Sequence, residues 1–169
     1  MTLHTGRPYR DGDVSIGPPD ASLIRRIPKA PDVAATTLQW LDRAQQGTDV
    51  YHFSIYLGPE PAGNILLHDI SASDGVALVG YHLFDPRQRG RGTGTKALGL
   101  LQRHVVAATA LRRLVIITGD DNTASQRIAQ KCGFVYTGPS YEDPEHGLVF
   151  EWETPAIVPP RRRPEQPQD

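Results

Sequence analysis

The chain is short of cysteine, of long apolar runs and of net charge, and each shortage excludes something. One cysteine among 169 residues rules out an internal disulfide. Cys132 also stands outside any Cys/His cluster, so no cysteine zinc site forms, no metal is implied, and a reducing compartment fits better than an extracellular one. Uninterrupted apolar runs reach only about five residues, against the roughly 20 that a membrane-spanning helix needs. The polar stretch from Met1 to Arg10 predicts no signal peptide, so a cytoplasmic protein with no membrane partner is expected. Eighteen Lys plus Arg against 19 Asp plus Glu leave a formal charge of −1. That balance argues against bulk nucleic-acid binding while leaving local clusters open.

What remains is the composition of one soluble globular domain, 38% hydrophobic and 22% charged. A chain of this length buries roughly 70% of its unfolded surface and needs no disulfide or metal to hold a core. Proline is the abundant residue, and its positions are uneven: five lie in the first 31 residues and five in the last 15. The end of the chain therefore reads as a Pro/Arg-rich disordered tail, 155–169, after a single domain spanning 1–154. Arg161 to Arg163 is too short a basic run to argue for nucleic acid.

Within the domain, Val33, Leu38, Trp40, Leu41 and Ala44 lie near one helical stripe and predict an amphipathic helix over Pro31 to Gln46. Three strand-like stretches follow, Val50 to Leu57, Asn64 to Ile70 and Val76 to Phe84, with turns at Pro59 to Gly63 and Ser71 to Gly75. They predict an antiparallel meander. A Gly/Arg loop, Asp85 to Gly94, then leads into a helix marked by Ala97, Leu101, Val105 and Ala108. The unbroken run Leu114 to Ile117 fits a strand buried on both faces, as in a parallel pair joined by a crossover helix. A second helix is predicted with Asn122 as N-cap and Gly133 as C′ residue, with Phe134 placed to close the cap contact. A hairpin ends the domain, Phe134 to Tyr141 and Leu148 to Glu153.

The stretch that carries chemistry is Arg87 to Thr95. Its three alternating glycines allow close backbone approach, and the helix start directs several amides outward, so a phosphate or pyrophosphate fits there. Arg87, Arg89 and Arg91 add positive charge. A Walker A loop fails because Thr95 precedes Lys96 where Gly-Lys-Ser/Thr is required. A dinucleotide fingerprint can be forced onto Gly92 to Ala97, but the meander before it and the short remainder after it are the wrong context.

Two motifs bring a family into view. Arg89-x-x-Gly92-x-Gly94, preceded by Phe84-Asp85-Pro86, resembles the acetyl-CoA pyrophosphate signature of the GNAT N-acetyltransferase superfamily. Asn122 to Phe134 resembles the family's N-x-x-S-x-x-(apolar)-x-x-K-x-G-F helix, and Val79-Gly80-Tyr81 resembles its approach to the cofactor. Together they are most like the branch that acetylates the N-termini of ribosomal proteins. The resemblance covers about residues 76 to 153. It implies an α/β GNAT fold, with a central mixed, mostly antiparallel sheet, a splayed parallel strand pair and flanking helices.

The resemblance also implies roles. Backbone groups of His82, Leu83 and Phe84 would bind the pantetheine arm and polarise the thioester carbonyl, an amide there acting as a preorganised oxyanion donor. Arg89, Gly90, Arg91, Gly92, Thr93, Gly94 and Thr95 would hold the pyrophosphate, with Asn122 and Ser125 completing the cofactor-binding set. Many members carry a tyrosine on the helix after this strand to protonate the leaving thiolate; the matching residue here is Ala129. Ser125 shares a helical face with Ile128, Ala129 and Cys132, and is the candidate partner for that thiolate. A small core serine bonded to its own helix is the alternative. Candidates for the base are His82, His68, Asp69, Tyr81 and Glu142, of which His82 sits beside the expected thioester. An acetyl-cysteine at Cys132 is disfavoured, because an apolar helix C-terminus does not activate a thiolate.

The expectation is an N-acetyltransferase that moves acetyl from acetyl-CoA to a primary amine in a direct ternary complex. The acceptor would be a peptide or protein N-terminus, or else a small amine such as an antibiotic or polyamine. An acyl-CoA-binding sensor without turnover is the reading from another class. Oligomeric state, a homodimer included, stays open.

Overall fold

The structure is a computed structural model describing residues 9–47 and 49–155, so the tail expected beyond Pro155 lies outside the described residues. The chain opens with a tight hairpin, β1 (Tyr9–Asp11) and β2 (Val14–Gly17), turned at Gly12 with φ +62°. Helix α1 (Ala21–Arg26) follows, its N-terminus capped by the Asp20 carboxylate, which accepts from the Leu23 amide at 2.9 Å. Helix α2 spans Pro31–Gln46, with proline at its start, where a missing N–H costs nothing. Its bounds are those expected from the apolar stripe, but the hairpin and α1 before it carry no periodicity long enough to read.

Strands β3 (Tyr51–Leu57), β4 (Glu60–Ser71) and β5 (Val76–Leu83) form the expected antiparallel meander. One correction concerns β4. The turn expected over Pro59 to Gly63 is shorter, since pairing resumes at Glu60 opposite Leu57, and Pro61 and Gly63 belong to the strand. Pro61 is tolerated because the register shifts at Ile55/Tyr56, where a bulge spares the lost donor. Gly63 is there for a close approach: a Cβ on it would collide with the His82 carbonyl oxygen of β5.

Helix α3 (Thr93–Ala108) then crosses to β6 (Arg113–Gly119), followed by α4 (Thr123–Lys131) and the closing pair β7 (Val135–Pro139) and β8 (Gly147–Glu153). The eight strands form one sheet in the order β1-β2-β3-β4-β5-β6-β8-β7, with β5 and β6 its one parallel pair. Both ends of α4 are as expected. Asn122 Oδ1 accepts from the Ser125 amide at 3.1 Å. At the other end Gly133 has φ +82°, its amide donates to Gln130 O, and Phe134 N donates to Ala129 O, closing a Schellman cap.

The sheet divides the helices. Ile55, Ile65, Leu67, Ala77 and Val79 face α3, whose Ala97, Leu98, Leu101 and Val105 are fully buried. Each large side chain buried there contributes about 2 kcal/mol of apolar transfer. Ile24 of α1, Leu41 of α2 and Phe84 form a second cluster with α1 and α2. Among the described residues no helix is long and apolar enough to cross a membrane.

Candidate active site

The site begins where the parallel pair fails. Strands β5 and β6 pair only at Val76↔Arg113, Ala77↔Leu114 and Leu78↔Val115. Beyond that, β5 continues along β4 to Leu83 and β6 continues along β8 to Gly119, so the two facing edges part. The direction of backbone groups decides what the gap sees. Phe84 N donates to Ala62 O and Phe84 O accepts from Ala30 N, so both groups are engaged outside the gap. Alternation along an antiparallel ladder then turns the backbone groups of Tyr81 and Leu83 toward the open edge. Leu83 O accepts from Arg89 Nη2 at 3.4 Å. Of the three strand residues expected to meet the pantetheine arm, Leu83 is therefore the one whose backbone faces the gap; the His82 carbonyl lies against Gly63 on β4.

The glycine loop sits at the head of that gap. Gly90 and Gly92 have φ +74° and +82°, and nothing lies within 4 Å of where a Cβ on either would stand. Gly92 is the N-cap of α3 and supplies no side-chain cap, and the first turn carries no acidic residue. The amides of Thr93, Gly94 and Thr95 are thus directed at open space at the positive end of a 16-residue helix. This cradle fits a pyrophosphate. The three arginines do not act alike. Arg87 is tied to Asp85 through Nη2 at 2.9 Å, and Arg89 reaches Asp32 of α2 at 3.2 Å. Arg91 has no hydrogen bond or ion pair among the described residues, which makes it the cation ready for a ligand.

On the α2 side of β5 a polar chain surrounds His82. Register places Ser54, Asn64 and His82 side by side on adjacent strands. His52 Nε2 donates to Asn64 Oδ1 at 2.9 Å, and Asn64 Nδ2 donates to His82 Nε2 at 3.2 Å. This order of donors puts the His82 proton on Nδ1. Thr37 Oγ1 of α2 lies 2.8 Å from His82 Nε2 and 2.8 Å from Val33 O, with one proton for the two acceptors. Trp40, one helical turn on, stacks over His82 with centroids 4.8 Å apart and planes 16° from parallel. Gly80 makes room for it, since a Cβ there would come within 3.0 Å of the Trp40 ring. Burial, with smaller contributions from His52 and Arg89, pushes the His82 pKa down to about 4. The ring is neutral at physiological pH.

On the opposite face, α4 presents Ser125 to β5. Tyr81 Oη lies 2.9 Å from Ser125 Oγ and 3.2 Å from Ser125 O, and burial pushes the phenol up to about 12. Ala129 is fully buried in the core. Cys132 donates weakly to Thr95 O at 3.4 Å, and burial raises its pKa, so it remains a thiol. The other base candidates lie further from the gap. His68 and Asp69 bond each other at 2.5 Å, and Asp69 also pairs with Arg43; His68 is on the His82 face of the sheet, its Nε2 beside Gly80 and the Trp40 ring, further along β4. Glu142 is exposed in the β7–β8 connection. The sequence offered no sign of Thr37 and Asn64 as partners of His82, or of His52 behind Asn64; the one available hint was a lone asparagine before the apolar run Ile65 to Leu67.

A sheet parted beside an uncapped, glycine-lined helix start, with polar side chains on both faces of the opening, defines a coenzyme-binding acyltransferase domain. The family model for the acetyltransferase (GNAT) domain matches residues 10–135. The chain belongs to the GNAT acetyltransferase family, and it is an acetyl-CoA-dependent N-acetyltransferase of that family. Among solved structures it is similar to RimL, a ribosomal L7/L12 α-N-protein acetyltransferase, with 21% identity over 86% of this chain and 96% of that one and a TM-score of 0.67. It is also similar to a ribosomal-protein-S5-alanine acetyltransferase from Vibrio fischeri, with 15% identity over 89% and 98% and a TM-score of 0.69. A third is the microcin C7 self-immunity acetyltransferase MccE in complex with acetyl-CoA and AMP, with 17% identity over 85% and 93% and a TM-score of 0.66. The search of curated sequences finds no significant match.

Proposed function

We propose that the chain transfers acetyl from acetyl-CoA to the α-amine of a peptide or protein N-terminus by direct attack in a ternary complex. The observation that carries the choice of acceptor is the weak basicity of His82, the titratable ring at the acceptor side of the gap. A group with a pKa of about 4 does not strip a proton from a free ammonium at neutral pH. The acceptor must arrive neutral. An α-amine, with a pKa of about 7.8, is roughly 300 times richer in its neutral form at pH 7 than a lysine side chain at about 10.4. The fold shared with RimL and the ribosomal-protein-S5-alanine enzyme supports the same acceptor class.

In this reading the pyrophosphate rests on Gly90 to Thr95 with Arg91, the pantetheine arm runs along the Tyr81 and Leu83 edge of β5, and the thioester meets the amine between His82 and Ser125. After attack the nitrogen is bonded to the acyl carbon and far more acidic than free ammonium, so a weak base suffices; His82 Nε2, whose lone pair accepts from Asn64 Nδ2 in the empty protein, takes the proton only on giving up that bond. Ser125 donates a hydrogen bond to the departing thiolate. The single cysteine suits a reducing, cytoplasmic compartment.

Thiol release from acetyl-CoA tests this with three acceptors: a peptide with a free N-terminus, the same peptide N-acetylated but carrying a lysine, and a polyamine. Release with the first, falling at low pH with the pKa of the acceptor amine, is expected. Preference for the polyamine would favour the small-molecule reading. Binding of acetyl-CoA with no release from any acceptor would favour a sensor, the reading to which the apolar Ala129 position lends weight.

A further inference from the structure

Tyr81 stands three residues past the last β5–β6 pair, where the strands have begun to part. Its side chain packs against the core on the α3 and α4 side of the sheet, and its hydroxyl reaches across to the first turn of α4. The Ser125 backbone there is already fixed, because its amide donates to Asn122 Oδ1. The hydroxyl is the remaining freedom. Two proton arrangements satisfy the pair. In one, Tyr81 donates to Ser125 O and Ser125 donates to Tyr81 Oη, so both protons are consumed within the pair. In the other, Tyr81 donates to Ser125 Oγ, and the serine proton is turned outward.

We infer that Tyr81 is the positioning residue for Ser125: its phenol donates to Ser125 Oγ and so directs the serine proton into the gap, at the sulfur of departing coenzyme A. The inference rests on the proposed site for the acetyl-CoA arm. Negative charge developing on sulfur selects the outward arrangement, and donors in series strengthen one another. No proton changes owner. The phenol holds its proton to about 12, well above an ordinary thiol at about 8.5, so transfer to the thiolate is strongly uphill. The pair stabilises the leaving group as a hydrogen-bond chain, and the thiolate is released unprotonated.

The test is a double-mutant cycle on kcat with acetyl-CoA and an N-terminal peptide. Tyr81→Phe keeps the ring and is expected to lower kcat about tenfold, in the range of one hydrogen bond to a charged group, with KM for acetyl-CoA within about twofold. Tyr81→Phe in a Ser125→Ala background is expected to cost nothing further, whereas in a Ser125→Thr background, which keeps a hydroxyl, its cost returns. An undiminished tenfold loss in the Ser125→Ala background, or a loss carried by KM, would overturn the assignment. A binding comparison separates this from the parent reading. Wild type is expected to bind coenzyme A more tightly than desulfo-coenzyme A at about pH 9, and Tyr81→Phe to narrow that preference. Equal weakening of both ligands would make Tyr81 a structural strut and overturn the inference alone. Failure of the wild type to bind either would overturn the cofactor site, and the role of Tyr81 with it.

Discussion

Replacing Gly92 with alanine separates the cost of backbone conformation from the cost of lost ligand contact. Gly92 has φ +82° and ψ 1°, and a methyl group there would meet nothing within 4 Å. The folded chain therefore pays only for a left-handed alanine, about 1 to 2 kcal/mol. At about 2 to 4 °C per kcal/mol for a chain of this size, the melting temperature should drop by about 2 to 8 °C. The same methyl enters the space in front of the first amides of α3, where the pyrophosphate is proposed to sit. Losing two charge-assisted hydrogen bonds there removes about 3 kcal/mol, roughly a hundredfold in affinity. At a coenzyme A concentration about 100 times the wild-type Kd, ligand binding should stabilise wild type by about 2.7 kcal/mol, or about 5 to 10 °C. At that concentration the variant should gain only about 0.4 kcal/mol, a shift of about 1 °C. Differential scanning fluorimetry with and without coenzyme A reads both effects. Gly58→Ala serves as control, since Gly58 has φ +56° on the β3–β4 hairpin and equally open space around its Cβ position. It should lose stability to a similar degree and keep the full ligand shift. A Gly92→Ala protein with a wild-type ligand shift would refute the placement of the pyrophosphate.

Two further outcomes follow from the opposite side of the sheet. Gly63→Ala forces a Cβ into the His82 carbonyl, a backbone atom that cannot swing aside, and should cost about 3 kcal/mol of overpacking, or about 6 to 12 °C in melting temperature; a variant that melts with wild type would show that β4 and β5 can part there. For pH, His82 is about 4 when folded and 6.5 when unfolded, so the unfolded chain takes up the proton first as pH falls. Its contribution is complete above pH 6.5 and is lost progressively toward pH 4, amounting to about 2 kcal/mol between about pH 7.5 and about pH 5. His52 and His104, also lowered by burial, pull in the same direction, while the exposed His146, raised beside Asp120, pulls weakly the other way. Urea unfolding of wild type and His82→Gln at those two pH values should show a shallower loss in the variant, and equal losses would contradict the buried neutral ring.

The parts of this molecule legible in the sequence are those whose determinants lie close together along the chain. Helix α4 announces itself at both ends, through Asn122 and through Gly133-Phe134, and every atom of those caps comes from within six residues of its partner. The glycine loop is legible for the same reason. The β1–β2 hairpin was not, because strands of three and four residues show no usable alternation. Pro61 and Gly63 read locally as a turn, and only the neighbouring strands explain them, through a bulge opposite Tyr56 and a carbonyl on β5. The setting of His82 is the extreme case. Its partners Thr37 and Asn64 come from a helix and a strand, 45 and 18 residues away, and His52 joins behind Asn64 from a further strand; they meet only once register has chosen which side chains share a face. Ser125 could be placed on a helical face from spacing, but its bond to Tyr81 spans 44 residues and depends on where the parallel pair stops.

That stopping point has a mechanical consequence. Three residue pairs join the five-stranded part of the sheet to the three-stranded part. Beyond these pairs, the two parts are held side by side by bonds from Arg112 to Gly75 and Asp74 at the paired end, by the Tyr81–Ser125 bond, and by helix packing, chiefly α3 against α4, where Ile128 nests over Gly94. Compliance is thus concentrated along one line, and the proposed catalytic groups sit on either bank of it, His82 and Tyr81 on one, Ser125 on the other. A molecule threaded between the banks would act as the missing rung of the ladder, so amide exchange along Tyr81 and Leu83 should be the quickest of β5 in the empty protein and the most slowed on filling.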